Sequence, residues 1–101
     1  MKRFKAIELQ TDNPQNVFDE HKREISKTII EAVDYGIKNN RKQVKFAKIT
    51  INGVVCISLS VHQKEYLDIL TQNIENLIEF EEYETCALGV KLKEQLLSTE
   101  Q

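Results

Sequence analysis

The chain has little punctuation, with three Gly and one Pro in 101 residues. So few breakers predict long regular elements joined by short connections, and a Gly-rich phosphate loop or dinucleotide fingerprint has nothing to be built from. Cysteine is equally scarce. Cys56 and Cys86 are the only two; they form neither a disulfide framework nor a Cys-x-x-Cys zinc spacing and read as reduced, packed thiols. Long apolar runs are missing too. Val54 to Ile57 falls far short of the roughly 18–20 residues that a membrane helix needs. The stretch Met1 to Leu9 opens basic like a secretory signal but lacks that signal's apolar core. These absences predict a cytoplasmic protein with no membrane contact.

What the chain does have is the make-up of an ordinary globule, 41% hydrophobic and 30% charged. At 11.8 kDa it is one domain's worth, too short for a two-domain enzyme. A net charge of −2 conceals segregation along the chain. Between Tyr35 and Lys64 there is no acid, whereas Lys38, Arg41, Lys42, Lys45, Lys48 and Lys64 give six cations. From Glu65 onward nine acids face Lys91 and Lys93 alone, a balance of −7. The middle is basic and the tail acidic.

The periodicity predicts an α+β domain of order β-α-β-β-α-α over residues 1–101. A short edge strand over 1–10 puts Ile7 and Leu9 on one face and Phe4 and Ala6 on the other. Asn13 and Pro14 read as a helix start, with Asn13 as cap, and a stripe of Phe18, Ile25, Ile29, Ala32, Val33, Gly36 and Ile37 carries a helix over 14–39 that ends on Asn39-Asn40. Such a helix would be about 39 Å long, while a domain of this size has a radius of gyration near 13 Å, so its charged first half overhangs the globule or lies on another subunit. Residues 43–61 form a hairpin about a type I′ turn at Asn52-Gly53. A two-residue loop pairs Ile51 with Val54, Ile49 with Cys56 and Val44 with Val61. One face then holds Val44, Phe46, Val55, Ile57, Leu59 and Val61, and the other holds Ile49, Ile51, Val54 and Cys56 toward the tip. A hairpin apolar on both sides needs cover twice, and a second copy of the chain is one source of it. Helices over 63–80, with Ser60 and Gln63 at capping-box spacing, and over 85–97 complete the fold; the first buries Tyr66, Leu67, Leu70, Ile74, Leu77 and Ile78, and a break falls around Glu81 to Thr85.

No catalytic constellation is present. His21, His62 and the two cysteines lack metal-ligand spacing and read as solvated imidazoles and packed thiols, so neither a metal nor another cofactor is expected. Neither cysteine has a basic neighbour in sequence to raise its thiolate fraction. The run Glu79, Glu81, Glu82 and Glu84 lacks the alternating ligands and glycine of a calcium loop and reads as a solvated helix end. The richest segment is basic: Lys38, Arg41, Lys42, Lys45 and Lys48 could neutralise phosphates or an acidic partner, or pair with the acidic carboxy-terminal helices. Exposed strand aromatics for base stacking are missing, which favours pairing over nucleic acid. These readings together predict a small non-enzymatic regulator or inhibitor, in the style of a microbial or phage accessory protein. It would bind a protein partner still to be identified as a homo-oligomer, most simply a dimer, with Ile49, Ile51, Val54 and Cys56 at the interface. The alternative is nucleic-acid or nucleotide-phosphate binding through 38–48.

Overall fold

A computed structural model describes residues 4–99 of the chain. Three strands form one sheet in the order β1-β2-β3: β1 (Ile7–Thr11), β2 (Gln43–Ile51) and β3 (Val55–His62), with β1 parallel and β3 antiparallel to the central β2. Helices α1 (Val17–Glu20), α2 (Lys22–Lys38), α3 (Tyr66–Glu79) and α4 (Tyr83–Thr99) complete the β-α-β-β-α-α order. The expected edge strand is thus real over its second half, and residues 1–3 of that expectation lie outside the described residues. Alternation explains β1: Leu9 and Thr11 are buried while Glu8 and Gln10 are exposed. The Thr11 hydroxyl ends the strand by donating to the Asn13 carbonyl and accepting from the Asn13 N–H, each at 3.0 Å.

The long helix is broken. A 3-10 turn (Pro14–Asn16) and the single turn of α1 precede α2, and His21 leaves helical geometry at φ −118°, ψ 25°. Asn13 makes no side-chain cap; its backbone N–H and carbonyl are both engaged by the Thr11 hydroxyl. The reason for the break lies in the charged segment 19–24, which has no apolar face to hold it to the domain. Bending there buries Val17 at 2% exposure and leaves Phe18 half in solvent, contrary to the predicted stripe. α2 is the hub of the fold. It packs on β2 on one side and on α3 and α4 on the other, so Ile25, Ser26, Thr28, Ile30, Ala32, Val33 and Gly36 are buried around much of its circumference. Its end is as expected: Asn40 is left-handed at φ 51°, and the Arg41 N–H reaches back to the Gly36 carbonyl at 2.8 Å. Gly36 is needed for close approach, since a Cβ there would collide with the Tyr66 ring and hydroxyl. That hydroxyl in turn donates to the Arg41 carbonyl at 3.1 Å.

The hairpin turn stands where expected, with Asn52 at φ 51°, Gly53 at φ 71° and a Val54 N–H to Ile51 carbonyl bond of 3.0 Å. The register beyond it differs. Val54 stays in the turn at 85% exposure, so Ile51 pairs with Val55 and Ile49 with Ile57; a β-bulge at Phe46 then restores the expected Val44–Val61 pair. The bulge sends Phe46 and Ala47 inward together, so Val44, Phe46, Ala47 and Ile49 are all buried. This corrects the expectation of a hairpin apolar on both sides. Its aliphatic residues gather on the helix-covered face, and the other face of the sheet is polar: Glu8, Gln10, Lys45, Lys48, Thr50, Cys56, Ser58 and Ser60. The demand for a second covering layer disappears with it.

The carboxy-terminal helices begin and end off the expected positions. A 3-10 turn (Gln63–Glu65) without a side-chain cap opens α3, so the Ser60–Gln63 box does not form; the Gln63 N–H extends the hairpin ladder to the Lys42 carbonyl at 2.8 Å instead. Ile78 lies 53% exposed, outside the core stripe. The break before α4 is a left-handed cap at Glu81, φ 57°, closed by Glu82 N–H to the Leu77 carbonyl at 3.2 Å.

Candidate functional site

The bulge that sorts the sheet's faces also assembles its charge. Lys45 and Lys48 are three residues apart, an odd spacing that puts two side chains on opposite faces of a regular strand. Because Phe46 is the extra residue, both lysines emerge exposed on the polar face, with Ser60 opposite Lys45 and Ser58 opposite Lys48. On the other flank Glu8 of β1 lies beside Lys48 and Gln10 beside Thr50. An open groove of about 730 Å³ is lined by Phe4, Lys5, Glu8, Glu24, Lys45 and Lys48. At the base of the hairpin, Lys42, His62, Gln63, Lys64 and Glu65 line a second hollow of about 600 Å³.

The five cations predicted to act together divide. Lys38 pairs with Asp34 one helical turn earlier, at 3.2 Å. Arg41 is exposed at the corner where α2 enters β2. Lys42, Lys45 and Lys48 are exposed, and none of the ion pairs among the described residues includes them. The acidic tail is met by other cations: Lys22 pairs with Glu79 at 3.1 Å, Arg23 grips Glu82 through Nε at 2.7 Å and through Nη2, and Lys27 stands 3.9 Å from Glu82. Sequence proximity gave no hint of this arrangement, since the partners are 57 and 59 positions apart.

The four residues expected at an oligomer interface do not share a face. Ile49 is 4% exposed in the chain's own core, and Ile51 is half-buried beside it. Val54 stands at the tip of the turn, while Cys56 is exposed on the outer strand with its side chain on the polar face.

The remaining chemistry is quiet. Cys86 is buried, its Sγ donates to the Ile74 carbonyl at 3.7 Å, and its pKa is pushed up by burial and secondarily by the Glu82 carboxylate, which opposes nucleophilic use. Burial likewise raises the pKa of Tyr66. Among the described residues no three His, Cys, Asp or Glu side chains converge as a metal site, and no helix is long and apolar enough to cross a membrane. Compared with known proteins, the chain matches no protein-family model, no curated protein and no solved structure.

Proposed function

We propose that this is a small non-enzymatic cytoplasmic regulator or inhibitor that works as a homo-oligomer, using the polar face of its sheet to cover an acidic surface on a protein partner. One observation carries the reading: Lys45 and Lys48 project from the polar face of β2 and Lys42 stands just before the strand, none of them in an ion pair among the described residues. Lysines that the fold does not neutralise are available to steer and hold an anionic partner. A flat face carrying serines and threonine beside the lysines suits the polar rim of a protein interface.

The same lysine row supports nucleic acid as the second reading. One feature weighs against it: Phe46, the one Phe, Tyr or Trp of the three strands, is buried and offers no base a stacking platform. The test is capture of partners on the immobilised protein from its native cell, followed by mass spectrometry and a salt series. An acidic protein retained by the native chain and lost with Lys42→Glu/Lys45→Glu supports the first reading. Retained RNA or DNA, with affinity falling steeply as salt rises, supports the second. Retention unchanged by the double substitution overturns both.

A further inference from the structure

The outer edge of the sheet is unguarded. In β3, the sequence Val-Cys-Ile-Ser-Leu-Ser-Val-His contains no Lys, Arg, Asp, Glu or Pro, the residues by which edge strands normally repel a neighbour. Among the described residues nothing pairs with it beyond β2. Val55 is 52% and Ile57 42% exposed although both lie on the face that the helices cover further down. An edge eight residues long, apolar on one face and small and polar on the other, calls for a strand that matches it residue for residue.

We infer that the homo-oligomer is a two-fold dimer in which β3 pairs antiparallel with β3 of a second copy, Ser58 opposite Ser58, making one continuous six-stranded sheet. The inference deepens the homo-oligomer reading above and rests on it. Backbone alternation restricts the register. The Gln63 N–H donates to the Lys42 carbonyl, so the odd residues 55–63 turn their backbone groups toward β2. Those of Cys56, Ser58, Ser60 and His62 then point to the open edge. Outward residues must bond outward residues, so even positions oppose even positions and odd oppose odd. With Ser58 on the axis, Cys56 meets Ser60, Ile57 meets Leu59 and Val55 meets Val61, and every pair joins like with like on the same face.

A two-fold axis normal to the sheet keeps both copies' helices on one side and both lysine rows on the other. Repulsion does not forbid this. The two β2 strands stand three strand spacings apart, about 14 Å, which exceeds the screening length of about 8 Å at physiological salt. The uncharged β3 strands bring no like charges together at the axis.

The experiment is light scattering and amide exchange on the full chain from about 1 µM to 1 mM. The expected mass rises from 11.8 kDa to twice that value, and the amides of Cys56, Ser58 and Ser60 become protected as it does. Ser58→Pro, which removes an outward N–H, and Ser58→Lys, which sets two cations on the axis while keeping the strand, each raise the dissociation constant at least tenfold with the circular dichroism spectrum unchanged. A constant 11.8 kDa at every concentration overturns this interface together with the homo-oligomer reading. A dimer unmoved by either substitution, or one whose outward amides exchange freely, overturns this interface alone and transfers the contact to another surface such as the exposed Tyr83, Val90 and Leu97 side of α4.

Discussion

Two groups of cations in this protein are alike in sequence and opposite in employment. Lys22, Arg23 and Lys27 close on Glu79 and Glu82 and pin the start of α2 to the corner between α3 and α4. Lys42, Lys45 and Lys48 are exposed and close on nothing among the described residues, Lys45 and Lys48 on the outer face of β2 and Lys42 just before it. Neither the number nor the density of lysines separates the groups. Topology does: the first stands beside carboxylates at the turn between α3 and α4, whereas Lys45 and Lys48 lie on a sheet face that no helix covers and Lys42 stands at the base of the hairpin. The first group should therefore govern stability and the second binding; three measurements test that division, and a fourth probes the buried thiol beside Glu82.

The largest effect is expected on binding. Lys42→Glu/Lys45→Glu/Lys48→Glu together should weaken an acidic partner about 100-fold or more, read by titration calorimetry. Stability should change by less than about 0.5 kcal/mol, since these side chains leave no partner stranded. Glu82→Ala should do the reverse. Its carboxylate is 15% exposed and joins two cations, so its loss should cost about 1 kcal/mol, a fall of roughly 4–8 °C in Tm, with partner affinity intact. Third comes alkaline pH. Cys86 is held protonated in the fold while the unfolded chain ionises, so the folded state binds more protons. The contribution of Cys86 to stability should be constant below the ordinary thiol pKa of about 8.5 and be lost as pH rises through it. Cys86→Ala should flatten that part of a Tm-against-pH series, and Glu82→Ala should shallow it. Smallest is Lys22→Ala, whose exposed pair with Glu79 should contribute under about 0.5 kcal/mol in a denaturant titration at low salt and less at high salt.

The elements that the sequence announced were those with a local cause. Asn52-Gly53 selected its turn because both residues accept positive φ, and Asn40 did the same for the end of α2. The break before α4 was legible as a change of hydrophobic phase. The bulge at Phe46 was not, because no residue type marks it; it exists because Phe46 and Ala47 both gain from burial against the helix layer. Two one-residue offsets, Val54 held in the turn and Phe46 inserted in β2, cancel at the base of the hairpin, so a two-residue loop gives the Val44–Val61 and Lys45–Ser60 pairs and misses those from Phe46 to the tip. Without the bulge, alternation alone gives a two-sided apolar ribbon. The lysine row itself was visible as a composition block, but its separation from the acidic tail required the long-range packing of α2 against α3.

The bare edge of β3 has a consequence for handling the protein. A heterologous join, β3 of one chain on β1 of the next, would leave both ends receptive and propagate as a fibre. The proposed β3 to β3 join would consume the adhesive edge of both chains and leave at each rim only β1, five residues long and bearing Glu8. Assembly would then terminate at two, and a lesion that blocks the symmetric join without charging the strand should make the protein precipitate on concentration.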